Sequence, residues 1–334
     1  MTIKKLFSAC GILTVLMIPF TMALFFSCEK VVEFPIEDQT PLVVVSSLPT
    51  ADSTLLVHLS KSRFFLSDGP FPTVDDATVT IEVNGVRYPL TFQTQGNYTQ
   101  ALRIHEGDSL SLFVEVPGYG ELTSTARVPK RPMIKDTAYY DTLLPGAYIP
   151  LENFRFTLCD PPEEENYYRI YMIETARLGS YDSVTDSWTY VRDSTYRVPF
   201  GIADSVLSQD LYTTQTVNFM AFYDQEADTL LPLGNFTGSE KVFSDKHIDG
   251  TEHATLFQRD VPLRFPDGLQ PMSREFTLYV ESITYDNYRY RVTESAASSI
   301  GSYFSEPLQV YTNIKPSGIG IFAAAAAVSY HFSK

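Results

Sequence analysis

Between residues 42 and 128 the chain is a close succession of short runs in which apolar and polar residues alternate. A period of two is what a strand with one buried face requires. The clearest run is Ala77-Thr-Val-Thr-Ile-Glu-Val83, which puts Val79, Ile81 and Val83 on one face and Thr78, Thr80 and Glu82 on the other. Asn84-Gly85 follows it, and a two-residue type I′ hairpin turn needs positive φ at both central positions. Residues 86–92 then read as the return strand. Residues 42–48, 54–60, 96–104, 109–116 and 121–128 supply the remaining runs. Turn residues recur about every 8–12 positions, the spacing of a β-sandwich. The expectation is a mainly β protein whose residues 41–129 form a seven-stranded, Ig/transthyretin-like sandwich.

Pro129-Lys-Arg-Pro132 punctuates the end of that domain, and residues 130–334 read as a second β-rich domain with long polar loops. Residues 167–175 and 274–283 alternate well. Between them, 178–270 are rich in Asp, Ser, Thr and Gly and read as loops with short strands. Tyr288, Val292 and Ala296 recur at four-residue spacing, which predicts one helix over 285–297. Residues 313–322 and the alanine run after them read as a closing strand against the second domain. Abundant Tyr and Phe (21 and 23) with few Lys and Arg (25 together) favour strands throughout.

The N-terminus points to export. Lys4-Lys5 precede an apolar stretch from Leu6 to Phe26, after which comes Ser27-Cys28-Glu29-Lys30. Basic residues, an apolar run and a small residue before a cysteine resemble the lipobox of a bacterial lipoprotein signal. Residues 1–27 are then the signal peptide, Cys28 the lipidation site and 28–40 a tether. Phe25 and Phe26 stand where smaller residues are usual. An uncleaved transmembrane anchor and an ordinary cleaved signal remain alternatives, since the run is about the ~20 residues a span needs. Cys10 follows too little apolar sequence to mark a cleavage site. Extended, residues 29–40 reach ~40 Å, enough to lift the folded part clear of lipid headgroups.

With Cys10 removed and Cys28 acylated, only Cys159 remains, so no internal disulfide is available and the fold rests on its core. In Phe156-Thr-Leu-Cys159 the thiol reads as a small hydrophobe on a strand rather than a nucleophile. Loss of residues 1–27 removes two lysines and no acid, so the net charge of −15 becomes −17. That balance argues against nucleic acid and against electrostatic adhesion to anionic membranes. Any lasting membrane hold must come from acyl chains.

Motifs that carry chemistry are few. His247, His253 and Asp249 are the candidates for a metal site, with Glu252 and Asp260 nearby, but their spacing fits no metal motif and equally suits a solvated loop. Asp224-Gln-Glu226-Ala-Asp228 and Glu163-Glu164-Glu165 offer hard oxygen donors without the pattern of a calcium loop. There is no nucleophile elbow, phosphate loop or dinucleotide fingerprint. Neither catalytic residues nor a cofactor are expected. Tyr139-Tyr140, Tyr167-Tyr168, Tyr285, Tyr288 and Tyr290 could line a recognition surface, although strands also place tyrosines in cores.

Three groups of residues together resemble one family. They are Glu306-Pro307 with Tyr311-Thr-Asn313-Ile and Gly318-Ile-Gly320-Ile-Phe322; Phe243-Ser-Asp245-Lys-His-Ile-Asp249-Gly250; and Leu59-Ser60-Lys-Ser with Ala77-Thr-Val-Thr-Ile and Cys28-Glu-Lys-Val. The chain is similar in these to the lipoproteins of Bacteroidota grouped as domain of unknown function 4249. The resemblance implies no established activity and no binding residues. It implies genes commonly found beside those of TonB-dependent outer-membrane receptors. The resulting expectation is a non-enzymatic, outer-membrane lipoprotein that assists such a receptor barrel, with either face of the membrane open and the cell surface favoured. An exported hydrolase acting on glycan or peptide, and a free-standing surface adhesin, are the alternatives.

Overall fold

The computed structural model describes residues 40–63, 69–143, 150–213, 222–224, 229–231, 239–260, 269–298 and 309–333. Eight strands come from the first module: β1 (Val43–Ser47), β2 (Thr54–Lys61), β3 (Thr78–Val83), β4 (Val86–Pro89), β5 (Thr91–Thr94), β6 (Asn97–Arg103), β7 (Ser109–Val116) and β8 (Gly120–Arg127). They form two facing sheets. Val43, Val45, Leu55, Val57 and Leu59 from one meet Val79, Ile81, Leu110, Leu112 and Val114 from the other, all essentially inaccessible to water. Val79, Ile81 and Val83 point inward, as their alternation requires. Asn84 and Gly85 have φ of 51° and 84°, so both take the left-handed conformation of the expected hairpin.

The strand count exceeds seven because the run 86–92 divides. Pro89 ends β4, the Leu90 N–H donates to the Val79 carbonyl (2.9 Å), and β5 continues in the opposite sheet. Pro lacks the N–H that an uninterrupted ladder would need, so this is where the chain can change sheets.

The second module begins with β9 (Met133–Leu143), β10 (Pro150–Cys159), β11 (Tyr167–Asp182), β12 (Ser187–Arg197), β13 (Gly201–Ile202) and β14 (Tyr212–Thr213). Next come β15 (Phe222–Asp224), β16 (Thr229–Leu231), β17 (Glu240–Ser244), β18 (Glu252–Asp260), β19 (Gln270–Ile283) and helix α1 (Tyr285–Ser298). A sheet ordered β13-β18-β10-β9 faces one built from β14, β17, β11, β19 and a last strand, with β12 paired to the outer half of β11. Between them lie Phe154, Phe156, Phe257, Ile170, Met172, Phe276 and Leu278, all 0% exposed. Strand β11 is sixteen residues long and forms a hairpin with β12, so strands replace loop in the first part of the expected polar stretch 178–270. Asp182 makes that reversal possible, since its carboxylate accepts the Val184 N–H (2.8 Å). Helix α1 lies where the four-residue spacing puts it, and the Thr284 hydroxyl accepts the Asn287 N–H (3.4 Å) at its start.

The end of the chain belongs to both modules. Strand β20 (Ile319–Phe322) runs parallel to β1, with Val45 opposite Gly320, and β21 (Ala325–Ser333) runs antiparallel to β19. Phe322, Ala324 and Ala326 are buried in the first core while Val328 and Phe332 pack on the second. Residues Pro41–Lys334 accordingly cluster as one compact unit.

Candidate functional site

The segment Phe243 to Gly250 forms the turn between β17 and β18, beside the β10–β11 connection. The Asp245 N–H donates to the Asn166 carbonyl (3.0 Å), and the Asn166 N–H donates back to Asp245 Oδ2 (2.5 Å). Asp160 receives the Tyr168 hydroxyl at Oδ1 (2.5 Å) and the Gly250 N–H at Oδ2 (3.0 Å). Gly250 is required here, because φ is +65° and a Cβ would stand 2.9 Å from the Pro162 Cβ. Asp160, Asp245 and Asp249 thereby bring carboxylate oxygens within 4.8 Å of one another, with Asp160 and Asp245 buried and Asp249 exposed. Among the described residues these are the three side chains that could together hold a hard divalent cation.

Burial raises the carboxyls of both Asp160 and Asp245, and the neighbouring Asp249 charge pushes each further in that direction. A carboxyl raised in the folded state favours the fold while protonated. Its contribution is therefore full below the unfolded value of 3.8 and is lost as pH rises through the higher folded value. Asp249→Asn removes one repulsive charge. It should raise stability at pH 7 by about 0.5 kcal/mol, discounted for the solvent around Asp249. The gain should vanish below pH 3.8, where Asp160 and Asp245 carry their protons and leave no charge for residue 249 to repel. Thermal unfolding at the two pH values checks this, and a variant less stable than the parent at pH 7 contradicts it.

The histidines do not join this group. His253 Nε2 lies 2.7 Å from Asp204 Oδ2. Burial alone would push Asp204 up, but His253 and the N–H groups of Leu207 and Val206 hold it below its ordinary value. His247 is exposed. The structure thus places Asp249 with Asp160 and Asp245, neither of which the sequence offered as a ligand, and sets His253 against a separate carboxylate. The spacing of residues 243–250 carried no sign of Asp160, which lies some 90 positions away. Among the other candidates, Glu164 reaches Lys130 (3.4 Å) and Glu165 accepts the Tyr167 hydroxyl (3.0 Å). Cys159 is half-buried and ends β10. Cys28 lies outside the described residues, as do Glu226 and the rest of 225–228.

Two buried ion networks were also missed. In the second core Arg274 donates to Glu174 (Nε, 2.5 Å) and to Glu152 (Nη1, 2.5 Å). Arg259 contacts the same two carboxylates at 2.5 and 2.8 Å, and the Tyr139 hydroxyl adds a bond to Glu152 (3.1 Å). Burial raises the Glu174 carboxyl despite Arg274 beside it. Burial works against the Arg274 cation, yet Glu174 and Glu152 hold it above its usual value. On the opposite face of the β11 sheet, Arg169 pairs with Glu281 (3.0 Å) and Glu240. Arg197 reaches Glu240 too (2.9 Å), and Arg291 of α1 closes on it while bonding Asn287 (2.8 Å). The legible signal was a glutamate at an inward strand position, as Glu174 is after Tyr168, Ile170 and Met172.

The tyrosines divide. Tyr168 is fully buried, Tyr139 packs on Phe154 (4.9 Å) and Tyr167 on Tyr288 (4.8 Å), all structural roles. Tyr290 is half-buried, while Tyr140 and Tyr285 are exposed. Among the described residues the most exposed aromatic pair lies elsewhere, on the β11–β12 hairpin, where Tyr181 and Trp188 meet at 5.1 Å.

These features define a mainly β protein of facing sheets, with one α-helix among the described residues and with buried acids and bases paired to each other. The chain belongs to the family described as Domain of unknown function (DUF4249), whose profile matches residues 29–331. Among solved structures it is similar to a protein from Corynebacterium diphtheriae described as membrane anchored, at 11% identity and a TM-score of 0.20. That match covers 73% of this chain and 55% of the other, so the chain spans about half its length. None of the curated proteins matches the sequence. Among the described residues no helix is long and apolar enough to cross a membrane.

Proposed function

We propose that this chain is a non-enzymatic lipoprotein, held at the outer membrane by acyl chains on Cys28, that assists a TonB-dependent receptor by capping it or capturing its ligand. The observation that carries the reading is the apolar run from Leu6 to Phe26 ending in Ser27-Cys28, with the family match starting at the very next residue. Acyl chains contribute ~0.8 kcal/mol per buried methylene, and the net charge of −17 left after the signal is cut (−15 less two lysines) offers no electrostatic substitute. The non-enzymatic part is supported by the partners of the buried acids. Glu240 lies against Arg169, Arg197 and Arg291, which hold its carboxyl below its ordinary value against burial and leave it poorly suited to proton transfer. The receptor barrel as partner follows from the family resemblance, and the cell surface as the favoured face from the acidic residues Glu29 and Glu33 early in the tether.

Cys28→Ser is expected to abolish incorporation of labelled fatty acid and to move the protein from the membrane to the soluble fraction. Full membrane retention of the variant overturns the anchor. Mild-detergent extraction of the tagged, acylated protein should bring down an outer-membrane barrel, and its absence sinks the partner assignment. Protease added to intact cells should digest the protein if it faces outward.

A further inference from the structure

We propose that the end of the first sandwich where the chain enters the fold rests on the lipid leaflet, with Leu42 and Phe71 seated in the headgroup layer. The proposal rests on anchoring through Cys28. Twelve residues, 29–40, separate Cys28 from the fold and reach ~40 Å at most. Leu42 therefore stays within that reach of the bilayer.

What surrounds Leu42 suits that position. Its N–H donates to Ser62 Oγ (2.8 Å) and its carbonyl accepts the Ser62 N–H (2.8 Å). The adjacent Lys61 N–H donates to the Pro72 carbonyl (2.8 Å), which brings Phe71 into the same patch. Leu42 is 41% exposed and Phe71 59% exposed, large fractions for apolar side chains. Two long cationic side chains of the neighbouring segment 61–63 are laid along aromatic rings. The Arg63 guanidinium lies 4.8 Å from the centre of Phe71, and the Lys61 ammonium 5.0 Å from that of Tyr119. Apolar and aromatic groups with snorkelling cations are the composition of a surface that sits at a bilayer interface. Asp76 and Glu115 lie beside the β7–β8 turn that carries Tyr119 and match the two cations in formal charge. Burial of Leu42 and Phe71, and not net charge, therefore supplies the attraction, and the contact should change little with the fraction of anionic lipid.

Trp188 is the single tryptophan of the chain and lies on the β11–β12 hairpin, which gives an internal reference. The acylated full chain would be reconstituted on phosphatidylcholine vesicles containing a lipid brominated high on its acyl chain. The parent reports from Trp188, and Phe71→Trp in a Trp188→Phe background reports from the patch. The expected result is loss of about half the fluorescence from position 71 and little loss from Trp188, since interfacial groups sit ~5–10 Å into the boundary. Vesicle flotation with both positions unquenched overturns the docking face while leaving the anchor standing. Equal quenching of both also overturns it. Acylated protein that fails to float with the vesicles removes the anchor, and this proposal with it.

Discussion

Arg274→Met is expected to destabilise the protein by about 4 kcal/mol, because it leaves two carboxylates in the second core short of a cation. Arg274 is 6% exposed and donates to Glu152 and Glu174, each 0% exposed. Arg259 would remain as the single cation facing both. For a chain of this size a loss of that order moves the urea midpoint by about 1 M or more with the slope unchanged. The quartet need not be stabilising overall. Two arginines and two glutamates taken from water cost a large desolvation penalty that their mutual attraction must offset. Replacing all four by apolar residues of similar volume should therefore recover most of what Arg274→Met loses. If the single variant is near neutral, the four charges are not coupled as their distances imply. If the fourfold variant is worse than the single one, the quartet contributes net stability and the desolvation argument fails.

This quartet also shows where sequence reasoning stops. Strand period places Val79, Ile81 and Val83 inward without reference to any other part of the chain, and Asn84-Gly85 sets its hairpin through backbone preference alone. Both features are local and both were legible. Glu174 also sits at an inward position, but its partner Arg274 is 100 positions away in sequence and meets it only because β11 pairs with β19. The Asp160, Asp245 and Asp249 group is hidden in the same way. The division of residues 86–92 into two strands turned on Pro89, whose effect depends on which edge the strand occupies. Local propensity carried the elements; pairing between distant strands made the buried charge and the carboxylate group.

The closing segment yields the second large effect, and here family resemblance and geometry converge on one residue. Gly320→Ala should destabilise the protein by about 4 kcal/mol and detach β20 from β1, combining backbone strain with lost pairing. At Gly320 φ is +107°, and a Cβ would stand 2.0 Å from the Val45 carbonyl oxygen, a backbone atom that cannot yield without opening the β1–β20 ladder. Asn313 holds the same strand from the other side. Its Oδ1 accepts the Phe322 N–H (3.0 Å), and its Nδ2 donates to the Phe322 carbonyl (2.7 Å) and to Asp286 of α1 (3.1 Å). The motif Tyr311-Thr-Asn313 with Gly318-Ile-Gly320 is therefore a fastening between the helix and the first sheet. Gly85→Ala is the control, since Gly85 also has positive φ (+84°) but nothing within 4 Å of an added Cβ. It should lose only about 1 kcal/mol, the strain alone. Hydrogen exchange separates the two causes: amides of β1 and β20 should lose protection in Gly320→Ala and keep it in Gly85→Ala. Equal losses in the two variants would mean that backbone conformation, and not close approach, is why glycine stands at position 320.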